Sequence, residues 1–169
     1  MFRFSYLTGG MNLTDICHLK HSDIKGDYFL YDRIKTTDTE KDSEPIEVHL
    51  LEEAKEINDK YGTGIDYLFP FIKKTMSAKE RKARIKQVNK NINKWIGRIA
   101  TELKIEDHVT FYTARHSFAT ILMKKGIPVA QISRMLGHAD IKTTQDYLAS
   151  FSREETRKAS EVLLDFVNP

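Results

Sequence analysis

Apolar residues at Val88, Ile92, Trp95, Ile96, Ile99 and Leu103 recur at offsets of three and four, and this periodicity limits most strongly what the chain can fold into. It predicts one long helix. Ser77 and Glu80 stand at capping-box spacing ahead of the stripe, which gives the helix a start as well as a face. The stripe is expected to anchor the helix, so other elements must cover it. With 169 residues, 40% of them hydrophobic, the chain is long enough to form one domain with its own core.

The elements before that helix read differently. Leu13, Ile16, Cys17 and Leu19 have near-helical spacing over residues 12–20, and the chain then turns through His21, Ser22 and Asp23. Tyr28, Phe29, Leu30 and Tyr31 are strand formers, and beyond a polar tract Ile46, Val48 and Leu50 alternate with Glu47 and His49. A small antiparallel sheet, a hairpin or three strands, is expected at one edge. Helical patterning returns from Leu51 to Tyr61 and stops at Gly62 and Gly64. The last third predicts short helices over Thr113–Lys125, Pro128–Leu136, Lys142–Ala149 and Glu154–Val167, the first two stopped by Gly126 and Gly137. The expected fold class is α+β: a mainly helical domain with a small antiparallel three-stranded sheet.

Charge is unevenly spread. Between Lys73 and Arg98 ten basic residues face one acid, Glu80, so within a formal total of +3 the remaining chain is net negative. Lys79, Arg81, Lys82, Arg84, Lys86 and Lys90 form the densest part of this run, as an electrostatic footprint for a polyanion would. A solvated helix face is the plainer reading of such a run. Cys17 is the single cysteine, which excludes an intrachain disulfide and a cysteine-based metal cluster and suits a reducing compartment. No apolar stretch approaches the roughly 20 residues of a membrane span.

Between Thr110 and Ser150 lies a more specific constellation. Arg115 opens a predicted helix, Leu136, Gly137 and His138 follow two helices later, and Tyr147 comes nine residues after that histidine. This segment resembles the tyrosine recombinases, or integrases. The resemblance continues upstream through residues 10–16, 18–24 and the strand-turn Arg33–Thr36, in the same order as in that family. It implies a DNA strand-exchange enzyme in which Tyr147 is the nucleophile, Arg115 and His138 contact the phosphate, and Lys35 protonates the departing 5′ oxygen. The chemistry suits these residue types. Phosphoryl transfer gathers charge on the nonbridging oxygens, and a planar, permanently charged guanidinium meets two of them at once. A phosphotyrosyl bond conserves the energy of the broken strand, so neither a metal nor another cofactor is called for.

Two positions depart from the common pattern of the family. Asn12 stands where its first arginine belongs, and Tyr112 replaces a histidine three residues before Arg115. Tyr112 still offers one hydrogen bond. Both replacements resemble integrases of Bacteroides conjugative elements. Arg33, two residues before Lys35 on what reads as one strand and hence on the same face, is placed to restore the missing charge.

Structural readings stand beside these. His138 could cap a helix, Arg115 could pair with Asp140 or Asp146, and His116, about 100° around the helix from Arg115, reads as a packing residue. The resemblance further implies double-stranded DNA as partner, a homotetramer on DNA, a monomer possible without it, and a bacterial cytoplasmic protein at the nucleoid. It implies that residues 1–169 are the catalytic domain, with the family's N-terminal core-binding domain outside this chain. The rival readings are a DNA-binding module that has lost catalysis and a topoisomerase-like relaxing activity. The apolar face of the last predicted helix, Val162, Leu163, Phe166 and Val167, packs either on its own domain or on a neighbouring protomer.

Overall fold

The computed structural model of the chain describes residues 1–34, 45–138 and 140–148, and for the last three of these the backbone. Lys35 and the helix expected over Glu154–Val167 lie outside the described residues.

The chain opens with a helix that sequence patterning did not reveal, α1 (Phe2–Leu7). Six residues give less than two turns of periodicity. α1 is closed by a Gly9-Gly10 turn with φ of +73° and +67°, a conformation that costs glycine little. Next come α2 (Leu13–His18), β1 (Ile24–Lys25), β2 (Tyr28–Tyr31) and β3 (Ile46–His49). The three strands form one antiparallel sheet in the order β1-β2-β3. Lys25 pairs with Tyr28 across a two-residue turn that begins with Gly26 at φ +63°, the arrangement of a Gly-first hairpin loop. In β3, Ile46 and Val48 are buried while Glu47 and His49 are exposed, so the alternation read from the sequence is the register of the sheet.

Then follow α3 (Glu52–Tyr61), α4 (Ala78–Glu102), α5 (Thr113–Lys124), α6 (Val129–Leu136) and α7 (Ile141–Leu148). The capping box of α4 is formed: Ser77 N–H donates to Glu80 Oε2 at 2.7 Å, and Glu80 N–H donates to Ser77 Oγ at 3.3 Å. The main core joins Phe4, Phe29 and Phe69 with α2, the sheet and one face of α4, and Phe4 meets Phe69 edge-on at 5.0 Å. A second cluster, Ala119, Ile132 and Leu136, lies between α5 and α6.

The stripe on α4 is only half used. Val88 is buried and Ile85, Ile92 and Ile96 lean on the core, but Trp95, Ile99 and Leu103 are 60%, 53% and 65% exposed. The expectation that all six stripe residues anchor the helix is therefore corrected. Positions 88, 92 and 96 form one i,i+4 ridge and 95, 99 and 103 the ridge beside it, and only the first ridge meets the core. Arg98 instead covers the Trp95 ring, 4.7 Å from its centroid.

Candidate active site

Arg115 is the centre of the site. It lies in the first turn of α5 and is 4% exposed. A buried guanidinium must find acceptors, and here most are backbone carbonyls. Nη1 donates to Gly10 O at 3.0 Å, and Nη2 donates to Leu136 O at 2.6 Å and to His138 Nε2 at 2.9 Å. Gly10 approaches so closely that a Cβ there would lie 3.1 Å from Arg115 Cα. The start of α5 is fixed in turn by α4, since Phe111 N–H donates to Asn93 Oδ1 at 2.7 Å.

The end of α6 explains why carbonyls are available. Gly137 takes the left-handed conformation at φ +63°, Gly137 N–H bonds to Arg134 O and His138 N–H to Ser133 O, which together make a Schellman motif. These bonds satisfy the carbonyls of Ser133 and Arg134. Those of Leu136 and Gly137 remain, at the negative end of the helix, and they accept from Arg115 and Arg33 respectively. Two arginines from distant parts of the chain thus converge on the end of one helix.

Arg33 does so from a loop. β2 ends at Tyr31, so the expectation that Arg33 lies on a strand is corrected; Lys35, the other half of the expected R-x-K pair, lies outside the described residues. Beyond β2 the chain is tied to α2, where Asp15 Oδ1 accepts from Ile34 N–H at 3.1 Å. Asp15 is 3% exposed. Burial pushes its carboxyl up, against the Ile34 N–H and the charges of Arg33, Arg115 and His18, which hold it down.

His138 sits between charges and a hydroxyl. Its Nδ1 lies 2.8 Å from Thr144 Oγ1, and burial, with the Arg115 and Arg33 guanidiniums nearby, lowers its pKa to about 4. It is neutral at pH 7. Tyr147 lies in α7, which packs on α6, one helical turn beyond Thr144. The side chain of Tyr147 lies outside the described residues.

Tyr112 is 47% exposed and meets His116 edge-on at 4.7 Å, which also gives His116 the packing contact expected of it. Of the six basic residues singled out on α4, two are used within the fold: Arg81 donates to Tyr67 Oη at 3.3 Å, and Arg84 Nε donates to Phe71 O at 3.2 Å. Lys79, Lys82, Lys86 and Lys90 are exposed and fall within about 80° of arc, opposite the buried Val88. They form a single cationic strip.

The sequence reading missed Asp15 and Thr144. Both are polar residues at positions that the fold buries, and Asp15 stands among the apolar positions of α2. That interruption was the available signal.

Comparison with known proteins shows the family and the fold. The model of the Phage integrase family matches residues 1–154, and the chain belongs to that family. It is 28% identical over 153 residues to tyrosine recombinase XerA of Thermococcus kodakarensis and 30% identical over 155 residues to XerA of Thermococcus onnurineus, in each case over 90% of this chain and 50% of the relative. Against XerD of Listeria monocytogenes the identity is 51%, over 49 residues. The chain spans about half the length of the full-span curated relatives it matches. Among solved structures, the Tn1549 transposon integrase in complex with transposon right end DNA superposes with a TM-score of 0.65 at 16% identity, over 96% of this chain and 57% of that one. XerA recombinase does so with a TM-score of 0.60 at 21% identity, over 98% and 56%. These likenesses agree on the fold: a mainly helical domain with a small three-stranded antiparallel sheet. No helix among the described residues is long and apolar enough to cross a membrane.

Proposed function

We propose that this chain is the catalytic part of a site-specific DNA recombinase that breaks and rejoins strands through a 3′-phosphotyrosyl intermediate on Tyr147. The observation that carries the reading is the convergence of Arg115, Arg33 and His138 at the end of α6. Two guanidiniums at one point suit a phosphodiester whose nonbridging oxygens gain charge as phosphorus is attacked, and a neutral imidazole beside them can take up a proton. Arg33 supplies the positive charge that Asn12 lacks, a substitution shared in this reading with integrases of Bacteroides conjugative elements. Tyr112 lies at the margin as a hydrogen-bond donor. Lys35, adjoining the Ile34 that Asp15 holds, protonates the 5′ oxygen as the P–O5′ bond breaks. The strip of Lys79, Lys82, Lys86 and Lys90 follows the phosphate backbone of double-stranded DNA, with Arg81 and Arg84 bracing the helix beneath it. Recombination requires two sites, so the enzyme works as a homotetramer on DNA.

Two observations favour a second reading, a DNA-binding module without catalysis: Asn12 carries no charge and Tyr112 is turned against His116. Covalent trapping separates the two. The protein is incubated with a pool of nicked duplexes carrying randomised half-sites, and adducts that survive denaturant are recovered. The recombinase reading predicts an adduct that is lost in Tyr147→Phe. Retention of DNA without any adduct leaves the binding module.

A further inference from the structure

Thr144 is fully buried in α7, and its hydroxyl meets His138 Nδ1 at 2.8 Å. On the opposite side of the ring, Arg115 Nη2 lies 2.9 Å from Nε2. These two contacts fix the tautomer. A guanidinium has only N–H groups to offer, so Nε2 must be the accepting nitrogen, and in a neutral ring the proton then sits on Nδ1 and is donated to Thr144 Oγ1. Removing the hydroxyl leaves two poor choices. A proton kept on Nδ1 has lost this acceptor, and a proton moved to Nε2 points at a cation. Position 144 is also one helical turn before position 147, so the contact that orients the ring ties down the helix that carries the phenol.

We propose that Thr144 is a positioning residue for DNA cleavage: its hydroxyl accepts from His138 Nδ1, keeps Nε2 unprotonated on the arginine side, and sets the distance of α7 from the ring. The proposal rests on Tyr147 being the nucleophile. In the attack, Tyr147 Oη bonds to phosphorus and the P–O5′ bond breaks. The phenolic proton passes to the Nε2 lone pair once phosphate oxygens have drawn Arg115 away, and the 5′ oxygen takes a proton from Lys35. Throughout, Thr144 accepts from Nδ1–H, in the neutral ring and in the imidazolium alike. The neutral resting state agrees with the low pKa of the ring.

The test compares Thr144→Val, which keeps the shape without the hydroxyl, with Thr144→Ser, which keeps the hydroxyl. The ring nitrogens of His138 are observed by ¹⁵N NMR in DNA-free protein at pH 7, where the parent shows Nδ1 protonated and Nε2 bare. Cleavage is timed in a single turnover on a nicked duplex recovered by covalent trapping with the parent protein. Thr144→Val is expected to give a mixed or reversed tautomer and to cleave roughly 10–100-fold more slowly, the loss typical when the partner orienting a metal-bound histidine is removed. Thr144→Ser is expected to restore both readouts. An unchanged tautomer in Thr144→Val, cleavage within about threefold of the parent, or equal loss in the serine variant overturns the proposal. If the parent itself yields no adduct, the recombinase reading fails instead, and the NMR comparison still decides whether Thr144 sets the tautomer.

Discussion

Arg115 and His138 meet through Nη2 and Nε2 at 2.9 Å, a permanent cation beside an imidazole that stays neutral. The pH dependence of stability follows from this pair. The ring's pKa is about 4 in the folded protein against an ordinary 6.5, so between these values the unfolded chain binds more protons than the folded one. The stabilising contribution is present above pH 6.5 and is lost as pH falls through about 4. His116, lowered by burial and by Arg115, acts in the same direction. Urea midpoints measured from pH 8 to 4 are expected to decline below pH 6.5, and less steeply in His138→Gln.

Arg33→Ala is expected to abolish detectable cleavage while leaving a folded protein. Arg33 lies in a loop and its bond to the Gly137 carbonyl is only partly buried, so stability should fall by about 1–2 kcal/mol. Covalent trapping together with thermal melting checks both halves. Near-parental cleavage would show that the charge absent at Asn12 is not supplied from this loop.

Arg115→Lys keeps the charge but not the fork. An ammonium cannot reach the Gly10 carbonyl, the Leu136 carbonyl and His138 together, so buried acceptors are left unmatched. Stability should fall by about 1–3 kcal/mol, and cleavage by roughly 10²–10³, the cost of one lost transition-state donor. Denaturant melts and single-turnover rates give the two numbers.

Gly10→Ala tests the turn that carries one of these carbonyls. A residue with a Cβ at φ +67° is strained, and this Cβ would press on Arg115 Cα. A loss of about 1–3 kcal/mol is expected in urea melts.

Cys17 is fully buried and its thiol is pushed up to about 12 by burial. Because the thiolate is the reactive form, Ellman's reagent should leave the native protein untouched and titrate one thiol after unfolding. Rapid reaction of the native protein would mean that α2 opens readily.

Much of this architecture could be read from residue patterns. The helices from Leu13 to Leu148 announce themselves through periodicity, the capping box at Ser77 and the glycine stops, and the sheet through the alternation of Ile46, Val48 and Leu50. Other features leave no such trace. Periodicity cannot say which of two adjacent rows on α4 is covered, so Trp95, Ile99 and Leu103 looked like core residues. The site was legible in part, as the residue types Arg115 and His138, which meet at the end of α6. Its internal bonds were not, because the groups that hold Arg115 and Arg33 are the main-chain carbonyls of Gly10, Leu136 and Gly137, and a carbonyl has no letter in the sequence. Arg33 reads as a strand residue, and nothing in the sequence shows that Asp15 captures the amide of Ile34.

The bond between Arg115 and the Gly10 carbonyl spans 105 residues, and that span sets a schedule. At roughly 5–20 residues per second, a ribosome makes Gly10 on the order of 5–20 seconds before the guanidinium it will hold. The nascent chain therefore carries the N-terminal wall of the pocket, and then the whole cationic strip of α4, before it has any means of engaging a phosphate through Arg115. A prematurely terminated product ending in α4 would carry the lysines that attract a polyanion but none of the groups at the end of α6.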